Sequence, residues 1–290
     1  MENRISAAYE SARLETQFHA KSFYFSSFAL PRLKRRRAYA IYALCRLMDD
    51  RVDNASIGED LDTVVAELRE LLVRIYQDRL TDKDLKTLPW LPAVQETIQR
   101  CEVPNSYFQD LIEGVELDQG EVRLNDWNEL DRYCYLVAGV VGLIMTRIFE
   151  LEDRAYETQA LDLGCAMQLT NILRDIADDL KMNRVYLPKT ELYEYGLNEG
   201  FLKQGIVNNQ WKKFMKFQIQ RARDYYTKSE IGIRELPNDG SRRTVWVMRD
   251  VYAGILSDIE RSNYNVFQRR CHVTLPKKCA LVLKRILFSM

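Results

Sequence analysis

Two acid pairs with one spacing stand far apart in this sequence, Asp49 with Asp53 and Asp175 with Asp179. On a helix, positions i and i+4 share a face, so each pair would aim two carboxylates at one point. Asn171, a turn before Asp175, adds an amide oxygen, and an all-oxygen set of this kind suits Mg²⁺. In a chain with 29% charged residues, one such pair arises by chance. A third pair, Asp78 and Asp82, lies in QDRLTDKDLKT, where the polar flanks read as a solvated turn. The other two pairs follow apolar turns, which makes them candidates for an enclosed metal site.

The elements that must carry these acids are helices. From Gly164 onward, at about 100° per residue, Gln168, Asn171, Asp175, Asp178 and Asp179 fall within roughly 100° of arc. Leu161, Leu169, Ile172, Leu173, Ile176 and Leu180 fill the remaining positions, so most of this helix must be buried. Unpaired carboxylates are costly there, and a cation would neutralise them. In YAIYALCRLMDDRVDN, Tyr42, Arg46, Asp49 and Asp53 lie within about 60° of one another. Arg46, one turn before Asp49, reads either as a structural counter-ion or as a diphosphate clamp.

The rest of the chain reads as helical scaffold with few breaks. Residues 4 to 30 suggest helix with an interruption, ending at Leu30-Pro31. The basic run Lys34 to Arg37 reads as a solvated helix start. DLDTVVAELRELLVRIYQ is amphipathic, and Pro89 and Pro92 interrupt the helical pattern after it. In DRYCYLVAGVVGLIMTRIFE, Tyr133, Val137, Val140 and Ile144 share one helical face. Gly139 and Gly142 weaken a helix relative to alanine, so they imply close approach of another backbone or a flat hydrocarbon. Pro188 breaks the helix after NRVYLP, and further helices are expected near 209 to 235 and 241 to 264. The tail LPKKCALVLKRILFSM would dock on the core or on an anionic membrane surface.

Composition narrows the function classes. The 290 residues contain 47% apolar residues, enough for a sizeable core, and 42 basic residues balance 42 acidic ones. That neutrality gives no reason to expect nucleic acid as a partner. The six cysteines, 45, 101, 134, 165, 271 and 279, lack any CxxC and read as reduced core residues of a cytoplasmic protein. The charged start MENRISAAYESARLE is not a secretory signal, and the longest apolar run, about Cys134 to Met145, is too short for a bilayer span.

Four segments together resemble a known family, the squalene and phytoene synthases, which join two prenyl diphosphates head to head. They are HAKSFYFSS at 19 to 27, YALCRLMDDRVD at 42 to 53, YCYLVAGVVG at 133 to 142, and QLTNILRDIADDLKMNRVYLP at 168 to 188. Their order and spacing match the family's across nearly the whole chain. The resemblance implies a fold, one all-α isoprenoid synthase domain over residues 1–290 with a central cavity. It also implies roles: His19, Lys21 and Ser22 as donors to phosphate oxygens, Arg46 as a clamp rather than a counter-ion, Tyr133 near the reacting carbons, and Tyr252 as a pocket tyrosine.

These groups imply a definite chemistry. Asp49, Asp53, Asp175, Asp179 and Asn171 would hold Mg²⁺, with Mn²⁺ as a substitute, so that an allylic diphosphate can ionise. Arg46, Arg174, Lys21 and Ser22 would bind the remaining phosphate oxygens. Gln168 lies on the same stripe as the second acid pair and is expected at the substrate. Phe23, Tyr42, Tyr133, Val137 and Tyr252 would wall off water from the carbocation. The family resemblance implies a cyclopropylcarbinyl diphosphate and then a linear hydrocarbon, 15-cis-phytoene from geranylgeranyl diphosphate, in carotenoid biosynthesis. Three alternatives compete: a C30 synthase using farnesyl diphosphate, a head-to-tail elongating synthase, and a non-catalytic helical assembly factor of the same fold. HAKSFYFSS and YCYLVAGVVG speak against elongation, and the intact acids against a non-catalytic role. No NADPH is expected, because no GxGxxG occurs and no hydrophobic C-terminal anchor follows the last helix, as it does in eukaryotic squalene synthases. Peripheral membrane contact for product release is expected.

Overall fold

The structure is a computed structural model, and it describes residues 2–53 and 60–287. Helix α10 (Glu157–Lys181) runs through the middle. Glu157 in its first turn and Lys181 in its last complement the helix dipole. On one side pack α1 (Glu2–His19), α3 (Arg32–Asp53), α4 (Leu61–Tyr76), α6 (Leu91–Cys101) and α7 (Asn105–Glu116) around a core that includes Ile41, Leu44, Met48 and Phe108. On the other, α13 (Asn209–Glu235) and α14 (Ser241–Arg261) close a second core around Trp211, Phe214 and Tyr226. Both long helices lie where the sequence periodicity puts them, and Asn208 caps the first by accepting from Trp211 N at 2.8 Å.

The break within residues 4 to 30 is at Ala20, between α1 and the short α2 (Lys21–Ser26). Strand is confined, among the described residues, to two residues in each of β1 (Val122–Arg123) and β2 (Arg184–Val185), paired in parallel. This corrects the expectation that the acid helix continues towards Pro188. It ends at Lys181, Asn183 turns with φ 59°, and Arg184 enters the β-pair.

The stretch expected as one helix over 131 to 150 is three pieces. Helix α8 (Trp127–Cys134), capped by Asp126, leads into a π-helical segment, Tyr135–Gly139, and then α9 (Val140–Ile148). The π turn inserts a residue and shifts the helical phase. Tyr133 and Val137 therefore share their face with Val141, while Val140 and Ile144 are fully buried in the core on the α7 side. The two glycines here serve close approach. A Cβ on Gly142 would lie 2.6 Å from the Ala160 carbonyl oxygen of α10, and one on Gly139 would lie 3.1 Å from Leu161.

Three further expectations need correction. Lys34 is not solvated: it is 5% exposed, and its ammonium donates to Phe149 O at 2.9 Å between Glu150 and Asp239. Arg37 likewise turns inward towards Glu96. Cys279 is exposed, unlike the buried Cys134, Cys165 and Cys271. The tail helix α15 (Leu275–Leu287) docks on α14, where Arg285 pairs with Asp250 at 2.7 Å and stacks on Trp246. No helix among the described residues is long and apolar enough to cross a membrane.

Candidate active site

A polar cavity of about 700 Å³ opens between α3 and α10. His19, Lys21, Phe23, Tyr42, Arg46, Asp49, Tyr133, Val137, Gln168, Asn171, Arg174 and Tyr252 all line it, drawn from five separate stretches of chain. The structure thus gathers most of the residues singled out by sequence. The Ser22 side chain lies outside the described residues. Asp53, Asp175 and Asp179 do not line the cavity and stand at its acid-bearing edge instead.

Arginines hold Asp49, Asp53 and Asp175. Arg46 pairs with Asp49 at 2.8 Å and also with Asp50. Arg174 donates to Asp175 at 2.8 Å, and Arg270 donates to it twice, at 2.7 and 3.0 Å. Arg184 donates to Asp53 at 2.8 Å. Burial alone would raise the Asp175 pKa, but the Arg174 and Arg270 bonds outweigh it and hold the carboxyl below its usual range. Asp179 differs: burial and the neighbouring Asp175 charge push it up to about 7. Asp49 is pushed up to about 6 by burial and by Asp53, with Arg46 opposing.

Four site residues carry no strong local signal in the sequence. Asp118, in the connection after α7, accepts from Tyr186 Oη at 2.7 Å and Tyr133 Oη at 3.0 Å, and the two rings stack at 4.8 Å. Burial nonetheless raises its carboxyl. Asp118 also repels both Asp49 and Asp179, so charge from the two acid helices meets around it. Arg184 and Tyr186 sit in the NRVYLP segment but point back to the acids only because β2 pairs with β1. Arg270 lies in the strap between α14 and α15, where the sequence offers only an arginine pair.

Whether a divalent cation fits can be judged from the oxygen donors at the site. Asn171 Oδ1 is buried without a hydrogen-bond partner. Asp49 and Asp179 are carboxyls that nearby positive charge would keep ionised. Among the described residues, no three His, Cys, Asp or Glu side chains converge to hold an ion by themselves. That pattern fits Mg²⁺, which takes one or two carboxylates and completes its shell with water and substrate phosphate oxygens. Asp49, Asp179 and Asn171 are the fitting donors, with Asp53 and Asp175 next to them.

Beneath the polar cavity runs an apolar tunnel of about 270 Å³, sharing Phe23, Val137, Val141, Gln168 and Asn171 with it. It follows α10 from Asn171 past Met167, Leu163 and Ala160 to Tyr156, and ends among Phe149, Leu151 and Leu236. Fifteen residues of helix span about 22 Å at roughly 1.5 Å each. The tunnel can take a long apolar chain whose anionic head stays above it.

A helical bundle with a cation-suited polar chamber over a deep hydrocarbon tunnel defines the class of isoprenoid synthases. Comparisons with known proteins narrow the class. The family model described as squalene/phytoene synthase matches residues 16–277. The chain is 36% identical to a 15-cis-phytoene synthase of Synechococcus elongatus, covering 96% of this chain and 92% of that protein. It is 37% identical to a 15-cis-phytoene synthase of Synechocystis, covering 94% and 83%. Among solved structures, squalene synthase HpnC of Alicyclobacillus acidocaldarius superposes with a TM-score of 0.82 at 26% identity, covering 90% of this chain and 96% of that one. A dehydrosqualene synthase shares the fold with a TM-score of 0.88 at 24% identity, covering 99% and 98%. The chain belongs to the squalene/phytoene synthase family, and with it to the enzymes that transfer prenyl groups from prenyl diphosphates.

Proposed function

We propose that this enzyme condenses two molecules of geranylgeranyl diphosphate head to head, through a cyclopropylcarbinyl diphosphate, into 15-cis-phytoene for carotenoid formation. The observation that carries this reading is the depth of the tunnel along α10, from Asn171 to Tyr156, taken with the 15-cis-phytoene synthase relatives. A shorter farnesyl chain would leave the end at Phe149, Leu151 and Leu236 unfilled.

His19, Lys21 and Arg46 line the chamber on the α1 to α3 side, and Arg174 and Arg270 on the α10 side. The positive charge of Lys21 and the three arginines, with His19 as a further hydrogen-bond donor, holds the diphosphate head and stabilises it as the carbon–oxygen bond breaks. Bound Mg²⁺ would supply further neutralisation of the leaving group. Phe23, Tyr42, Tyr133 and Tyr252 exclude water from the allylic cation and offer it ring faces. Asp118 fixes the Tyr133 ring through its hydroxyl, so that ring cannot swing away from the cation. The second ionisation opens the three-membered ring, and loss of a proton gives the central double bond without a reductant.

Mass spectrometry and ultraviolet spectra of the hydrocarbon made from geranylgeranyl or farnesyl diphosphate, with Mg²⁺ and with or without NADPH, test this reading. The expected product is a conjugated triene formed from geranylgeranyl diphosphate without NADPH. A product saturated at the central bond and made only with NADPH would overturn it, as would faster turnover of farnesyl diphosphate.

A further inference from the structure

The deep end of the tunnel is walled by two turns that lie far apart in the sequence. Phe149 and Leu151 come from the turn after α9, and Leu236 from the turn after α13. Lys34 joins them. Its ammonium, with three N–H donors, donates to Phe149 O at 2.9 Å and lies 2.9 Å from a Glu150 carboxylate oxygen and 2.8 Å from one of Asp239. The Asp239 end of this contact is tied in turn to the tunnel wall. Asp239 accepts from Ser241 N at 3.0 Å, and Arg242, the next residue, donates from Nε to Leu236 O at 2.9 Å.

Local forces in α3 do not favour a lysine at this position. Lys34 stands in the first turn of the helix, where a positive charge opposes the helix dipole, and it is buried. Glu150 and Asp239 keep 63% and 38% of their side-chain surface in water, so the lysine carries most of the desolvation. A buried ion pair is often no more stabilising than apolar packing in its place. What this one supplies is geometry, because acceptors from two turns must meet at one nitrogen.

We propose that Lys34 is a positioning residue for substrate length, holding the two turns together so that the tunnel stays closed beyond Phe149, Leu151 and Leu236. This rests on the reading that the tunnel holds the prenyl chain. A chain one isoprene unit longer than geranylgeranyl would have to push these side chains outwards, and the Lys34 contacts resist that movement. With the contacts gone the turns can part, and the longer chain gains room. A farnesyl chain stops short of the end and does not sense the change.

The test measures kcat/KM for the C15, C20 and C25 prenyl diphosphates with wild type, Lys34→Met and Lys34→Arg, alongside a thermal melt of each protein. Methionine keeps the apolar stem, and arginine keeps the charge and the donors. Wild type is expected to prefer the C20 substrate to the C25 one, and Lys34→Met to lower that preference about tenfold. Turnover of the C15 substrate should be spared, and arginine should restore most of the preference. If Lys34→Met does not fold, Asp239→Asn, which keeps the Ser241 contact and removes one charge, is expected to lower the preference in the same direction. A C20 to C25 ratio unchanged in the folded variants would overturn the role, as would equal use of both substrates by wild type. Equal loss with all three substrates would overturn it too, because Lys34 would then act on the fold alone. The ratio is read whatever hydrocarbon forms, whereas failure of the phytoene reading shows in wild type as faster turnover of the C15 substrate, so the two failures are distinguishable.

Discussion

Arg270 reaches back 95 residues to grip Asp175 with two hydrogen bonds, Nε to Oδ1 at 2.7 Å and Nη2 to Oδ2 at 3.0 Å. The contact closes the strap between α14 and α15 over one end of the acid helix. It also splits the DxxxD pair into unlike members, an arginine-held Asp175 and an Asp179 pushed up to about 7. We propose that both serve the metal, and Asp175→Asn is expected to lower kcat on the order of a hundredfold while circular dichroism stays unchanged. Near-normal turnover would remove Asp175 from the metal site.

The raised Asp179 carboxyl sets a pH dependence. Its folded pKa lies above the unfolded value of 3.8, so the folded protein binds more protons between about 4 and 7. Stability of the metal-free enzyme should then fall as pH rises through that window. Asp179→Asn should raise the melting temperature at pH 8 and leave it nearly unchanged at pH 4. Mg²⁺ competes with the same proton, so its affinity should weaken between pH 8 and pH 6 in calorimetric titration. A melting temperature for Asp179→Asn that tracks wild type at both pH values would refute the assignment.

Arg46 holds Asp49 and Asp50 and faces the chamber. Arg46→Lys keeps the charge but loses the planar fork, and kcat/KM is expected to drop at least about tenfold. Tyr42, its hydroxyl pushed up to about 12 by burial, should tolerate phenylalanine better than alanine if the ring is the working part. Steady-state kinetics of the three variants decide both points.

Ala160 lines the tunnel eleven residues before Asn171 on α10, roughly 16 Å along the helix. Ala160→Phe should block the deep end, so that turnover of geranylgeranyl diphosphate falls while farnesyl diphosphate is spared. Equal loss with both substrates would mean that the tunnel does not measure chain length.

Gly164 lets α10 lie against the π segment, since a Cβ there would stand 2.6 Å from Ala138 O and 2.8 Å from Gly139 N. Backbone cannot swing aside as a side chain can, so Gly164→Ala is expected to cost about 1–3 kcal/mol in urea unfolding. A variant as stable as wild type would show that the two segments can separate freely.

What the sequence determined by itself was local. The acid pairs, the apolar flanks of their helices, and the placement of Tyr42, Arg46, Gln168 and Asn171 on common faces all derive from a 3.6-residue period within a few turns. Helices α13 and α14 were legible for the same reason. Only the tertiary structure decided which charges meet across long loops. Asp118 became a site residue because Tyr133 and Tyr186 converge on it from stretches 15 and 68 residues away. Lys34 turned inward because Glu150 and Asp239 arrive from other loops to offset the cost of its burial. The π turn after Tyr133 is likewise invisible to a 3.6-residue reading, because it changes the period itself; it places Val141 beside Val137 at the chamber. Periodicity reports which face of a helix avoids water, whereas the partner of a buried charge is set by packing between segments that the sequence keeps far apart.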